Sequence, residues 1–183
     1  MKKNNGEFLQ FVDAVVGTAQ TAKRTLCEYA GGPADGCPLI IWEMKEGLRL
    51  IPLPNHTKDD DVSLSDVMGF LLHELWAELG TPVHGALVTE AFLKKANSSD
   101  EDLSNLKKGD VYKEFSINPK NIQECVTVLA FSTSGLMRHA VVTYKYNDNG
   151  LPEFEETQYG EKKDIGGQMA VAVREFIEFI NVK

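Results

Sequence analysis

The sequence predicts an α+β domain in which helices pack on a mostly antiparallel sheet of about five strands. Its 183 residues, of which 43% are hydrophobic, suffice for one well-formed core. Helical periodicity occurs at both ends of the chain and once near the middle. Between these helices, β-prone runs follow one another through short turns, which favours hairpins. The predicted order is α-β-β-α-β-β-β-(β)-α, with the bracketed strand at an edge.

The N-terminal half begins with the clearest helix. Apolar residues recur at helical spacing over residues 8–26, and Gly31 marks the expected end. Two β-prone runs, residues 39–44 and 48–53, then form a hairpin through a short polar turn. A second helix is predicted over residues 63–79, where an S-x-x-D capping pattern precedes a wide apolar face. That wide face predicts a central helix packed across the sheet.

The second half is predicted to consist mainly of strands. These cover residues 85–93, 124–132 and 136–146, and a last edge strand lies near residues 154–159, where glutamates discourage aggregation. A final amphipathic helix spans residues 167–180.

We predict one globular domain over residues 1–183. It contains a polar loop at about residues 94–110, for which disorder is favoured over a functional role. The order of elements resembles that of profilin-like and roadblock-like domains, and more loosely that of type III secretion chaperones. The resemblance lies in element order, and it implies a dimeric binding module.

Charge and cysteine content restrict the classes of partner. A formal net charge of −8, spread along the chain, disfavours binding to nucleic acid and to anionic membranes. It also makes an acidic mimic of nucleic acid the weakest functional hypothesis. No secretory signal and no run of about 18 apolar residues is seen, and Cys27, Cys37 and Cys125 leave one thiol unpaired in any disulfide scheme. We therefore expect a cytoplasmic protein with reduced cysteines.

The common catalytic signatures are missing from the sequence. Neither phosphate-binding glycine loop is present, nor is a nucleophile elbow or a paired C-x-x-C motif. His73 and Glu74 begin like the H-E-x-x-H zinc helix, but Ala77 occupies the position of the second ligand. A zinc site built from the three cysteines and one histidine is an alternative that the spacing does not require. We predict no metal and no cofactor.

Five residues are the candidates for chemistry: His73, Glu74, Glu78, His84 and Glu90. Glu74 and Glu78 lie one helical turn apart near a helix C-terminus, where solvent or a basic partner must offset two like charges. Glu90 shares a strand face with His84 between apolar neighbours, so it needs a partner. A structural ion pair is favoured over a functional acid for Glu90.

Two functional classes follow. The sequence favours a non-enzymatic interaction or regulatory module that binds a protein partner or itself as a homodimer, because no convergent catalytic set is recognised. The alternative is a small hydrolase or a metal-dependent enzyme. It would use the His/Glu cluster at the end of the central helix and in the following strand.

Overall fold

The structure, a computed structural model, describes residues 2–36, 38–53, 64–94, 122–160 and 168–182. Its helices are α1 (Lys2–Ala30), α2 (Leu64–Leu79) and α3 (Gln168–Val182). Its strands are β1 (Leu39–Met44), β2 (Gly47–Pro52), β3 (His84–Lys94), β4 (Ile122–Ser132), β5 (Met137–Tyr146), β6 (Pro152–Phe154) and β7 (Gln158–Gly160). None of these helices has the length and hydropathy needed to cross a bilayer.

The strands form one antiparallel sheet in the order β2-β1-β3-β4-β5-β6, and β7 also pairs with β5. This confirms the α+β class, but the sheet has seven strands where about five were expected. The single edge strand predicted near residues 154–159 is divided in two. Phe154 pairs with Tyr144 and Gly160 pairs with His139, so the chain makes two short contacts along β5 and bends between them.

Helices cover both faces of the sheet. The apolar stripe of α1 packs on β3, β4 and β5, where Phe8, Val12 and Val15 meet the alternate residues Val88, Val126 and Val142. The other face carries α2 and α3, whose core includes Leu72 and Phe176. Among the described helices, the apolar α2 thus shares its face with α3, and the longest helix packs on the opposite face.

Most helix ends lie close to where the local sequence signals predict them. At the end of α1, Gly31 has a φ of 70°. The Gly31 amide donates to the Glu28 carbonyl at 3.3 Å, and the Gly32 amide donates to the Cys27 carbonyl at 3.0 Å. This is the Schellman pattern of a glycine-terminated helix. The polar stretch predicted at residues 94–110 lies outside the described residues, apart from Lys94 at the end of β3.

Candidate functional site

The outer side of β2 is the most exposed apolar part of the described sheet. Leu48 and Leu50 are 52% and 55% exposed. The register with β1 places them opposite Glu43 and Ile41. Since Ile41 faces the α1 side of the sheet, both leucines project on that side as well. The helix α1 packs on β3 to β6 and leaves them uncovered.

The backbone groups of Leu48, Leu50 and Pro52 point away from the sheet. In an antiparallel pair, residues alternate between those that bond to the partner strand and those that face the other way. The Leu53 amide donates to the Pro38 carbonyl at 2.7 Å, in line with the β1–β2 register. Odd-numbered residues therefore bond to β1, and even-numbered ones face outward. Pro52 occupies an outward position, where its missing N–H removes no bond to β1.

The opposite edge of the sheet is protected against strand addition. Both β6 and β7 are three residues long, and β6 begins at Pro152. Exposed Glu153, Glu155 and Glu156 surround this edge. Short strands, proline and charge all discourage pairing with another chain. On β2 the single charged residue is Arg49, whose backbone groups bond to β1, so among the described residues this end of the sheet is the unguarded apolar edge.

Glu43, the residue opposite Leu48 on β1, pairs with the buried histidine His84. The Nδ1 atom of His84 lies 2.5 Å from Oε2 of Glu43, its direct partner across β1 and β3. The His84 ring also packs against Phe8 and Phe11, with centroids 5.5 and 5.1 Å away. Leu48 flanks Glu43 on the side of the free edge. His84 thus pairs with Glu43 through Nδ1 and packs against α1 inside the protein.

A second polar cluster lies under α1 at the far end of β3. Lys23 is only 3% exposed. Its Nζ atom is 2.9 Å from Oε2 of Glu90 and 2.5 Å from the Ala34 carbonyl oxygen. The rings of Tyr144 and Tyr146 lie 5.1 and 5.7 Å from the same nitrogen. A carboxylate, a carbonyl and two aromatic faces together compensate the buried ammonium.

The loop after α1 closes over this ion pair because it carries a glycine. A Cβ atom at Gly36 would lie 2.3 Å from Oε1 of Glu90, so a side chain there would displace the carboxylate. Beside the pair, a cavity of about 230 Å³ opens between α1 and the sheet. Apart from the ion pair its lining is mainly apolar: Ala19, Ala22, Leu26, Leu39, Val88 and Val126.

The pKa shifts of Lys23 and Tyr144 are those expected of structural groups. Burial alone would lower the pKa of Lys23, but hydrogen bonds to Glu90 and Tyr146 outweigh it, and the pKa is raised overall. Burial, reinforced by the charge of Glu90, raises the pKa of Tyr144. A general base needs a pKa near the working pH. Lys23 and Tyr144 do not have such a pKa, because both side chains keep their protons near neutral pH.

Cys125 on β4 is a buried thiol close to this cluster. Burial, with the charge of Glu90 adding to it, raises the pKa of Cys125 from 9.0 to about 11. We expect iodoacetamide to alkylate Cys125 at least about a hundredfold more slowly than an ordinary thiol at pH 8, because the thiolate is the reactive form and the side chain is fully buried. Peptide mass spectrometry over a time course measures this rate. Protein unfolded in urea is the control, and equal rates in both states would contradict the expectation.

The five residues predicted from the sequence are not brought together. His73 lies on α2, with its ring centroid 5.7 Å from that of Phe176 and 4.4 Å from that of Phe179. Glu74 and Glu78 are exposed on the same helix. His84 instead faces α1, on the other side of the sheet. The chain enters β3 from the α2 side, and strand alternation turns the His84 side chain to the far face.

Glu90 shares the α1 face of β3 with His84, but six residues separate them, or roughly 20 Å along the strand. Its partner is Lys23. The single His/Glu cluster of the enzyme alternative is therefore not assembled. In the part of the chain that the structure describes, no three His, Cys, Asp or Glu side chains are grouped so as to hold a metal ion.

The sequence pattern was not used to predict two features, the burial of Lys23 and the exposure of Leu48 and Leu50. Lys23 lies four residues after Ala19 and four before Cys27, both of which are buried. This helical spacing signals a lysine on the core side of α1. The exposure of Leu48 and Leu50 has no such signal, because it depends on which strand lies at the edge.

Comparison of the chain with protein-family models, curated proteins and solved structures finds no match.

Proposed function

We propose that this chain is a non-enzymatic protein-interaction module of the cytoplasm that acts as a homodimer, with the free edge of β2 as its binding surface. The observation that carries the proposal is the exposure of Leu48 and Leu50 at positions whose backbone groups also face outward. Backbone hydrogen bonds and apolar contacts are thus offered on one strand, which is the requirement for adding a strand from another chain.

The contrast between the two edges supports this use of β2. An exposed apolar edge strand promotes aggregation unless something covers it, and proteins commonly guard such edges. The β6/β7 edge is guarded by short strands, Pro152 and glutamates. In the part of the chain that the structure describes, the β2 edge has no comparable protection up to Pro52, as expected for an edge that is covered in the working protein. A second copy covers it symmetrically, because a two-fold interface uses the same patch twice.

The oligomeric state of the Leu50→Lys variant tests the proposal. We expect light scattering to give the wild type about twice the chain mass of 20.3 kDa. The lysine variant is expected to raise the dimer dissociation constant at least about tenfold, because two like charges are brought into the interface.

Phe70→Lys is the matched control, since Phe70 is 64% exposed but lies on α2, which covers the opposite face of the sheet from Leu48 and Leu50. Its dissociation constant is expected to equal that of the wild type. A wild type that stays monomeric up to its solubility limit would sink the proposal, and so would equal weakening by both lysine substitutions.

A further inference from the structure

The free edge restricts how a second copy can pair with β2, and this inference rests on the proposed use of that edge. In a two-fold antiparallel pair, one residue lies at the symmetry axis, opposite its own copy, and we call the pairing centred on that residue. Within β2, outward backbone groups occur only at Leu48, Leu50 and Pro52. Pairing centred on Leu48 runs into the turn at residues 45–46. Pairing centred on Ile51 sets Leu50 opposite Pro52, which has no N–H to donate, and sets Leu48 opposite a residue beyond the end of β2, so that only the Leu50 amides donate within β2. Pairing centred on Pro52 sets both leucines opposite residues beyond β2.

Two registers remain, and each allows both leucine amides to donate. When the pairing is centred on Arg49, Leu48 exchanges hydrogen bonds with Leu50 of the second copy, and Leu50 exchanges them with Leu48 of the second copy. Centred on Leu50, the Leu50 residues bond to each other, and the Leu48 amide donates to the Pro52 carbonyl of the second copy. Because Pro52 has no N–H, only the Leu48 carbonyl then lacks a partner in the second copy, and Nη1 of Arg49 donates to that carbonyl at 3.5 Å.

Arg49 distinguishes between these two registers. Centred on Arg49, the pairing sets two guanidinium groups directly opposite each other at the closer, non-hydrogen-bonded spacing, which is destabilising. Centred on Leu50, the pairing sets Arg49 opposite Ile51 of the second copy. The arginine charges then lie on a diagonal, and no like charges of β2 face each other.

We propose that the occupant of the β2 edge is a second copy of this chain, paired antiparallel with Leu50 opposite Leu50. Directly opposite residues share a sheet face. The exposed leucines of both copies therefore meet on the α1 side, where Leu48 contacts Pro52 of the other copy. The sheet continues from one molecule into the next, and both α1 helices lie on the same side of it.

Disulfide trapping with one cysteine introduced at a time at residues 48–51, in a Cys37→Ser background where the remaining native thiols Cys27 and Cys125 are buried, tests the register. In the proposed pairing, the two Leu50 Cα atoms are about 5.5 Å apart, which is within disulfide range. The two Arg49 Cα atoms lie on a diagonal, roughly 8 Å apart, beyond the reach of a disulfide. Under mild oxidation, Leu50→Cys should shift to twice the chain mass on a non-reducing gel. Peptide mass spectrometry should then map the bond to residue 50 in both chains.

Leu48→Cys is the matched control, because Leu48 is as exposed as Leu50 and lies on the same face of the same strand. It should stay at the mass of one chain, as should Arg49→Cys. A mixture of Arg49→Cys and Ile51→Cys chains should form the mixed disulfide, which supports the register independently.

The outcomes separate this inference from the proposed function. Trapping of Arg49→Cys or Leu48→Cys in place of Leu50→Cys would overturn the register but leave the β2 dimer standing. A dimer by light scattering with no trapping at any of the four positions would overturn the pairing of β2 with itself. A monomeric wild type would remove both proposals.

Discussion

Replacing Glu90 with Gln is expected to lower the free energy of unfolding by about 3 kcal/mol, because it leaves the Lys23 ammonium buried without a counter-charge. The Lys23 side chain is 2% exposed and that of Glu90 is 24% exposed, so solvent compensates little of the loss. Urea unfolding followed by circular dichroism measures the change. Glu74→Gln, a neutralised carboxylate exposed on α2, is the control and should alter stability by less than about 0.5 kcal/mol.

A double substitution shows whether the loss comes from an uncompensated charge. Breaking a buried ion pair is costly, whereas replacing both partners with apolar residues of similar volume is often neutral. Lys23→Met combined with Glu90→Leu should therefore be clearly more stable than Glu90→Gln alone. If the double variant were the less stable of the two, the charge would not be the cause.

The contribution of the Lys23–Glu90 pair to stability is expected to decrease at high pH. The pKa of Lys23 is raised above its ordinary value of 10.5 in the folded state. Its contribution to stability is therefore fully present below pH 10.5 and is lost as the pH rises through the folded value. In Glu90→Gln, burial without the counter-charge lowers the pKa of Lys23, so the variant is relieved of its penalty as the pH rises through that lowered value. Urea unfolding over a pH series should therefore give the largest stability difference between the wild type and Glu90→Gln near neutral pH and a shrinking difference toward alkaline pH.

Gly85→Ala is expected to cost about 2–3 kcal/mol through a steric clash in the core. Gly85 lies directly opposite Phe131 on β4, and a Cβ atom there would be 2.2 Å from Cζ of the Phe131 ring. The ring cannot move aside easily, since it is fully buried and its centroid is 6.4 Å from that of Trp42 and 6.0 Å from that of Phe176.

Gly17→Ala is the matched control for this clash. Gly17 is exposed on α1, and no atom lies within 4 Å of the Cβ it would gain. Alanine is the better helix former, so this change should stabilise the protein by roughly 0.5–1 kcal/mol. Opposite signs for the same chemical change, measured by thermal unfolding, are the expected result. A neutral Gly85→Ala variant would mean that the Phe131 ring does not cover Gly85 in solution.

Hydrophobic periodicity predicted most elements because it is a local property. The strand β1 spans residues 39–44 as expected, and α2 and α3 begin and end within about two residues of their predicted bounds. The N-terminal start of α1 and the division between β6 and β7 were not predicted. The first turns of α1 lack an apolar stripe, and the bend at residues 155–157 exists because two separate stretches pair with β5.

The sequence by itself determined the fold class, the hairpins and the need of Glu90 for a partner, since each depends on side-chain pattern within a few neighbouring residues. Only the tertiary structure decided that this partner is Lys23, 67 positions away, that His84 faces α1 instead of α2, and that β2 lies at an edge. Strands pair through backbone groups that all residues share, so the pattern of side chains does not order them. Strand order depends on which faces the helices cover, and that order leaves Leu48 and Leu50 exposed.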